Sequence, residues 1–301
     1  MVDLTVKLCN SSLKNPVILA SGIWGVTPET LVRASEYCGA VTIKSIGPKR
    51  REGNPNPAVV ANEHYVHNAV GLPSSGIDDM DNKWEALKEL KSPLIASCYG
   101  DTAEDYVNIT EKIVPHKPAL LELNISCPNK AKGMLFAQDP IETAKLVKAV
   151  KKVSGRIPIS VKLTPNVTNI VEIAKAAEKS GADCITAINT VSGMLINPEA
   201  RKPVLGFKCG GISGPAIKPI ALKCVYDIYE NVKIPIIGTG GVNTGRDAIE
   251  MIMAGASAVG VGSAVYYRGN DFLKLIVDEM KKWMLKNNVK SIPEIRGVAH
   301  E

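Results

Sequence analysis

Aromatic residues make up only 5% of this 301-residue chain, so a core of any size must be built from aliphatic side chains. Cysteines at C-x-x-C spacing are absent. The seven cysteines are an odd number, and Cys98, Cys184 and Cys224 sit inside apolar runs. This excludes a disulfide scaffold and gives no metal-ligand spacing; it fits a reducing, cytoplasmic compartment. No apolar run is long enough to span a bilayer. Asp3, Lys7 and Lys14 put charge through the opening segment, so no signal peptide is expected. Concentrated basic charge is missing too. The net charge is +6, but the 36 lysines and arginines are spread out, and the one basic run, at 47–53, is short. Nucleic-acid binding, which favours a clustered basic stripe, is not expected.

What is present is regular alternation. Short β-branched runs lie at 17–21, 40–46, 93–98, 119–126, 158–163, 183–189, 234–240 and 258–264. They are almost continuously apolar, as strands buried on both faces should be. Amphipathic stretches separate most of them. In 139–155, Asp139 suits a cap, Pro140 the first helical position and Gly155 the exit. Eight such alternations predict an α/β fold, a (β/α)8 TIM barrel, as one domain over 1–301. A doubly wound sheet is the alternative, but no G-x-G-x-x-G follows the first strand. The residues before that strand read as an N-terminal β-hairpin plugging the barrel's bottom. The segment 47–77, rich in Gly, Pro and Asn, is too long for a plain connection; it reads as a lid or insertion after the second strand.

Barrel chemistry belongs at the C-terminal strand ends. Those ends carry Ser21, Lys44, Ser45, Ser97, Asn124, Lys162, Asn189, Thr190, Gly240, Gly241, Gly262 and Ser263. A lysine inside an apolar strand is costly unless paired or solvated in a site. Lys44 and Lys162, at equivalent ends, favour a shared anionic ligand. Glycine clusters at 208–214, 238–245 and 260–264 favour a phosphate-bearing cofactor at the later strands. Asn68, Asn124, Asn129 and Asn189 offer donors and acceptors suited to a planar ligand, although asparagine is also a common turn residue. Cys127 follows the fourth strand in a polar loop before Pro128. It reads as an inert thiol, a nucleophile or a general base; no histidine lies at a barrel strand end to pair with it.

Several stretches resemble dihydroorotate dehydrogenase, the flavin enzyme of pyrimidine biosynthesis: "TIKS" (42–45), "HNAVGLPSSG" (67–76), "ELNISCPN" (122–129), "VKLTPNVTNI" (161–170), "AINTVSGMLIN" (187–197), "RKPVLGFKCGGISGPAIKPIAL" (201–222) and "IIGTGGV" (236–242). The match spans nearly the whole chain. The 201–222 stretch resembles class 1B, whose catalytic subunit works with an electron-transfer partner. The resemblance implies oxidation of dihydroorotate to orotate with one FMN per chain. Its phosphate is expected near Gly214, Gly240, Gly241, Gly262 and Ser263, with Ser21, Ser45, Ser97, Ile188 and Lys162 along the rest of the flavin. Lys44 and Asn124 are expected to face both flavin and substrate. Asn68, Ala69, Val70, Gly71, Leu72, Asn129, Asn189 and Thr190 complete the substrate site, and Cys127 is the implied general base. The chain has no iron–sulfur spacing, so FAD and a [2Fe–2S] cluster would sit on a partner subunit that passes electrons to NAD+. A homodimer within a heterotetramer is implied; no metal and no membrane are. Position 97 is serine where the family pattern has asparagine, and "GLPSSG" departs from the usual loop. A dihydropyrimidine or dihydrouracil oxidoreductase of the same fold is the alternative activity.

Overall fold

A computed structural model describes residues 2–125 and 133–301. Its centre is a closed barrel of eight parallel strands. These are β1 (Val17–Leu19), β2 (Ala40–Thr42), β3 (Leu94–Cys98), β4 (Leu120–Asn124), β5 (Ile159–Leu163), β6 (Cys184–Ala187), β7 (Ile236–Thr239) and β8 (Ala258–Val261). Each pairs with the next in sequence, and β8 pairs with β1 to close the ring. All eight expected runs therefore become barrel strands. They are nearly all fully buried because helices cover one face and the barrel interior the other. The helices follow the expected signals. In Pro140–Val153, Asp139 accepts a hydrogen bond from the Ile141 amide and the chain leaves through Gly155 at φ +60°. The core between strands and helices is aliphatic, with Tyr106 and Phe272 among its few large rings. Among the described residues no helix is long and apolar enough to cross a membrane.

The expected hairpin is present, with Val6–Leu8 antiparallel to Ser11–Leu13. Leu4, Val6, Leu8 and Leu13 are buried. The thiol of Cys9 donates to the carbonyl of Asp183, just before β6, at 3.4 Å. The hairpin thus closes the N-terminal end of the barrel and leaves the opposite end for chemistry.

The insertion after β2 is more organised than its composition indicates. Val59–Ala61 and Val66–Asn68 form a hairpin, and Val66–Asn68 also pairs with Cys209–Ser213, which pairs with Val191–Met194. The result is a four-stranded antiparallel sheet joining the β2 insertion to the excursion after β6. Sequence reading did not foresee it. Its strands are three to five residues long, too short for periodicity to register, and its central pairing links Asn68 to Gly211 across the middle of the chain.

Candidate active site

The C-terminal strand ends surround a cavity of about 310 Å³. β1 brings Ser21, β2 brings Lys44 and Ser45, β4 brings Asn124, and β5 brings Lys162. The exit of β6 adds Ile188, Asn189 and Thr190. β7 adds Gly240 and Gly241, and β8 adds Gly262 and Ser263. The insertion supplies Asn68, Val70, Gly71 and Leu72 from the side. The small sheet also contributes Val66, which sequence reading had not assigned, and Gly211 and Ser213 from the 208–214 glycine cluster.

Three expected residues are set back from this wall. Ser97 is fully buried beneath it, with its hydroxyl 2.9 Å from that of Ser45. Ala69 is also fully buried, its amide bound to the carbonyl of Ala58. Gly214 faces Tyr267, whose hydroxyl lies 2.7 Å from where a Cβ would stand. None of the three is on the cavity wall itself. Cys127 and Asn129 lie outside the described residues.

Local backbone chemistry explains much of the wall. Gly241 has φ +74°, and a Cβ there would meet the backbone nitrogen of Lys218 at 2.6 Å. Only glycine fits both the conformation and the close approach. Thr239, at the end of β7, lines the cavity, and its hydroxyl is buried without a partner among the described residues. The Tyr267 hydroxyl, beside Gly214 and set back from the wall, is likewise buried without a partner among the described residues, and burial pushes that phenol's pKa up. Buried hydroxyls without partners are uncommon. Two of them beside the glycine turns fit a ligand that brings acceptor oxygens.

The barrel interior under the cavity is polar, although such interiors are usually filled with branched aliphatic chains. Side chains alternate along a strand, so Glu122 shares a face with Asn124 on β4, and Ser160 with Lys162 on β5. Glu122 reaches Ser97 of β3 and Thr186 of β6, each at 3.1 Å. β4 and β6 are not neighbours, so the Thr186 contact runs through the barrel, whereas Ser97 stands opposite Glu122 on the adjacent strand. Lys162, only 7% exposed, has its ammonium 3.9 Å from the Glu122 carboxylate. Sequence reading assigned Glu122 no role. Its signal was the one that picked out Lys44 and Lys162, a charged residue inside an apolar strand.

A second cavity, of about 350 Å³, shares Lys44 and Ser45 with the first. Its floor includes Leu31, Ile43 and Met80, and Arg50, Arg51 and Lys83 are also on its wall.

The sequence profile of dihydroorotate dehydrogenase matches residues 3–284. The chain belongs to the dihydroorotate dehydrogenase family. It is therefore a member of a family of oxidoreductases. It is 45% identical over 304 aligned positions to the dihydroorotate dehydrogenase B (NAD(+)) catalytic subunit of Methanocaldococcus jannaschii, covering 99% of this chain and 98% of that one. The protein of the same name from Pyrococcus horikoshii is 43% identical, with 98% and 97% covered. A dihydroorotate dehydrogenase structure from Eimeria tenella, in complex with ferulenol, superposes with a TM-score of 0.85 at 24% identity, over 99% of this chain and 89% of that one. The ligand-free form gives 0.87, with 99% and 92% covered. At that identity the likeness speaks for the shared barrel alone.

Proposed function

We propose that this protein oxidises dihydroorotate to orotate for pyrimidine biosynthesis, with FMN held in the cavity over the barrel mouth. One observation carries the reading: two lysines, three amide side chains and the glycine turns of β7 and β8, spread along the chain from Lys44 to Ser263, converge on a single cavity. The donor set fits FMN. Gly240, Gly241, Gly262 and Ser263, with the unpartnered hydroxyl of Thr239, would hold the phosphate; Ser21, Ser45, Ile188 and Lys162 would line the ring system. Bound there, FMN supplies the acceptor for a hydride.

The chain's own groups do the rest. Lys44 receives the substrate carboxylate in a site where a desolvated charge pair has more weight than in water. The amides of Asn68, Asn124 and Asn189, with Thr190, hold the ring edge through its carbonyls and N–H groups. Cys127, as thiolate, takes a proton from the ring carbon next to a carbonyl. A hydride leaves the neighbouring carbon, and the electron pair of the broken C–H bond beside the carbonyl becomes the new C=C bond. The relatives' name, catalytic subunit of an NAD(+)-linked enzyme, supports a second subunit; that subunit would carry FAD and a [2Fe–2S] cluster. We assign the working assembly as a homodimer flanked by two such partners, in the cytoplasm.

The direct test is an absorbance spectrum of the purified protein, followed by addition of dihydroorotate. FMN bands that bleach on addition are expected; a folded protein that stays colourless after incubation with FMN would sink the proposal. Lys44→Ala should raise KM for dihydroorotate about tenfold or more, the scale of an unpaired buried charge. If the wild type instead turned over dihydrouracil as readily as dihydroorotate, the activity would be the dihydropyrimidine alternative.

A further inference from the structure

Beneath the cavity, a chain of short polar contacts begins at one carboxylate. Glu122, 3% exposed, accepts from Ser97 at 3.1 Å. The Ser97 hydroxyl lies 2.9 Å from that of Ser45. Ser45 lies 3.2 Å from the Asn124 amide nitrogen, and the Asn124 amide oxygen lies 3.3 Å from the Asn189 amide nitrogen.

The direction of this chain is not a free choice. A carboxylate accepts and does not donate, and a serine hydroxyl has one proton to give. Ser97 must spend its proton on Glu122, so it accepts from Ser45. Ser45 has then spent its own proton and must accept from the next group. Only the nitrogen end of the Asn124 amide can donate, so that end is turned to Ser45 and the oxygen end to Asn189. The same logic turns the nitrogen of Asn189 to Asn124 and leaves its oxygen to accept from the Thr190 backbone N–H at 2.8 Å. The ammonium of Lys162 lies 3.9 Å from the same carboxylate.

We infer that Glu122 is a positioning residue that sets, through Ser97 and Ser45, which ends of the Asn124 and Asn189 amides face the ligand. The inference rests on the proposed function for the identity of that ligand. A planar ring with alternating carbonyl and N–H groups is recognised only if each amide is presented the right way round, because a flipped amide sets donor against donor. Glu122 is not itself on the cavity wall. It acts on recognition by fixing proton positions three and four links along the chain.

Three variants of the FMN-loaded protein test this, with orotate affinity measured by calorimetry and FMN content by absorbance. Glu122→Gln keeps the shape but can present a donor to Ser97, which frees the chain to reverse. Ser97→Ala cuts the chain at its first link and leaves Glu122 and Lys162 in place. Thr186→Val removes a hydrogen bond to the other oxygen of the same carboxylate, off the chain. Both on-chain variants should keep FMN and bind orotate about tenfold more weakly, the scale of one buried hydrogen bond lost. Thr186→Val should stay within about twofold. Equal losses in all three would mean generic damage to the barrel interior and overturn the inference. Wild-type affinity in Ser97→Ala would do the same, whatever the folding of Glu122→Gln. A wild type that binds FMN but no orotate overturns the proposed function and this inference together, whereas unaltered variants beside a binding wild type overturn the inference alone.

Discussion

Burial sorts the cysteines by reactivity. Burial pushes the thiol pKa of Cys38 and Cys224 up to about 11, and those of Cys98 and Cys184 upward as well. Such thiols are inert near neutral pH. The proposed base, Cys127, sits instead in a polar loop sequence. Cys127→Ala should retain FMN and orotate binding but slow flavin reduction about a hundredfold or more in stopped flow. In the wild type the same rate should climb as pH rises through the thiol's titration; a flat profile would remove the thiolate from the chemistry. At this scale the sequence was readable where a residue stood out from its neighbours, as Lys44 and Lys162 did, both of which line the cavity. Glu122 stood out equally, but its meaning depends on Ser97 of the adjacent strand and on Thr186, which reaches it across the barrel. Ser97 read as a strand-end contact. It proved to be a buried link because the side chain is short and the cavity floor is formed by Ser45 above it.

Among the elements, the helices beside the glycine turns are tied by charge. Lys218, at the start of Lys218–Asn231, bridges Asp247 and Glu250 of Gly245–Met253 at 2.6 and 2.7 Å. Glu279, of Phe272–Lys286, pairs with Arg268 and accepts from the Gly245 amide. Burial pushes the Asp247 carboxyl up, but hydrogen bonds from Lys218 and from the Asn243 and Thr244 amides outweigh it and hold its pKa below the usual carboxylate range. The Arg268 hydrogen bond brings Glu279 down against its own desolvation. A depressed carboxyl stabilises the fold fully above its unfolded pKa, near 4, and loses that contribution as pH falls through the lower folded value. Asp247→Asn should therefore lower Tm at pH 7, with the deficit shrinking below about pH 4; thermal melts across pH check this, and a deficit constant with pH would count against it. The helices themselves were legible, since caps and 3.6-residue periodicity are local. The ion pairs were not, because their partners lie on different helices.

For the whole molecule, two parts of unequal security share the site. The barrel strands are buried on both faces within a closed ring. The small sheet stands over the mouth, and its outer strand, Val59–Ala61, is half exposed with one edge unpaired. Local opening should be cheapest there. Hydrogen exchange followed by mass spectrometry should show Val59–Ala61 exchanging well before β4, β5 and β6; equal protection would mean that sheet and barrel open as one unit. Ligand binding should slow exchange in Val66–Asn68 and Cys209–Ser213, which carry cavity residues.

Sequence alone determined the eight-fold alternation, the hairpin at the bottom, the strand-end lysines and amides, and the family resemblance. Each depends on residues near one another in the chain, where period, caps and motif spacing are visible. Tertiary structure alone decided that Asn68 meets Gly211 in a sheet over the mouth, and that Ser97, Ala69 and Gly214 stand behind the wall. It also decided that Glu122 faces Thr186 through the barrel. Those relations depend on which strands close the ring and how far side chains reach across it, and no local pattern records either.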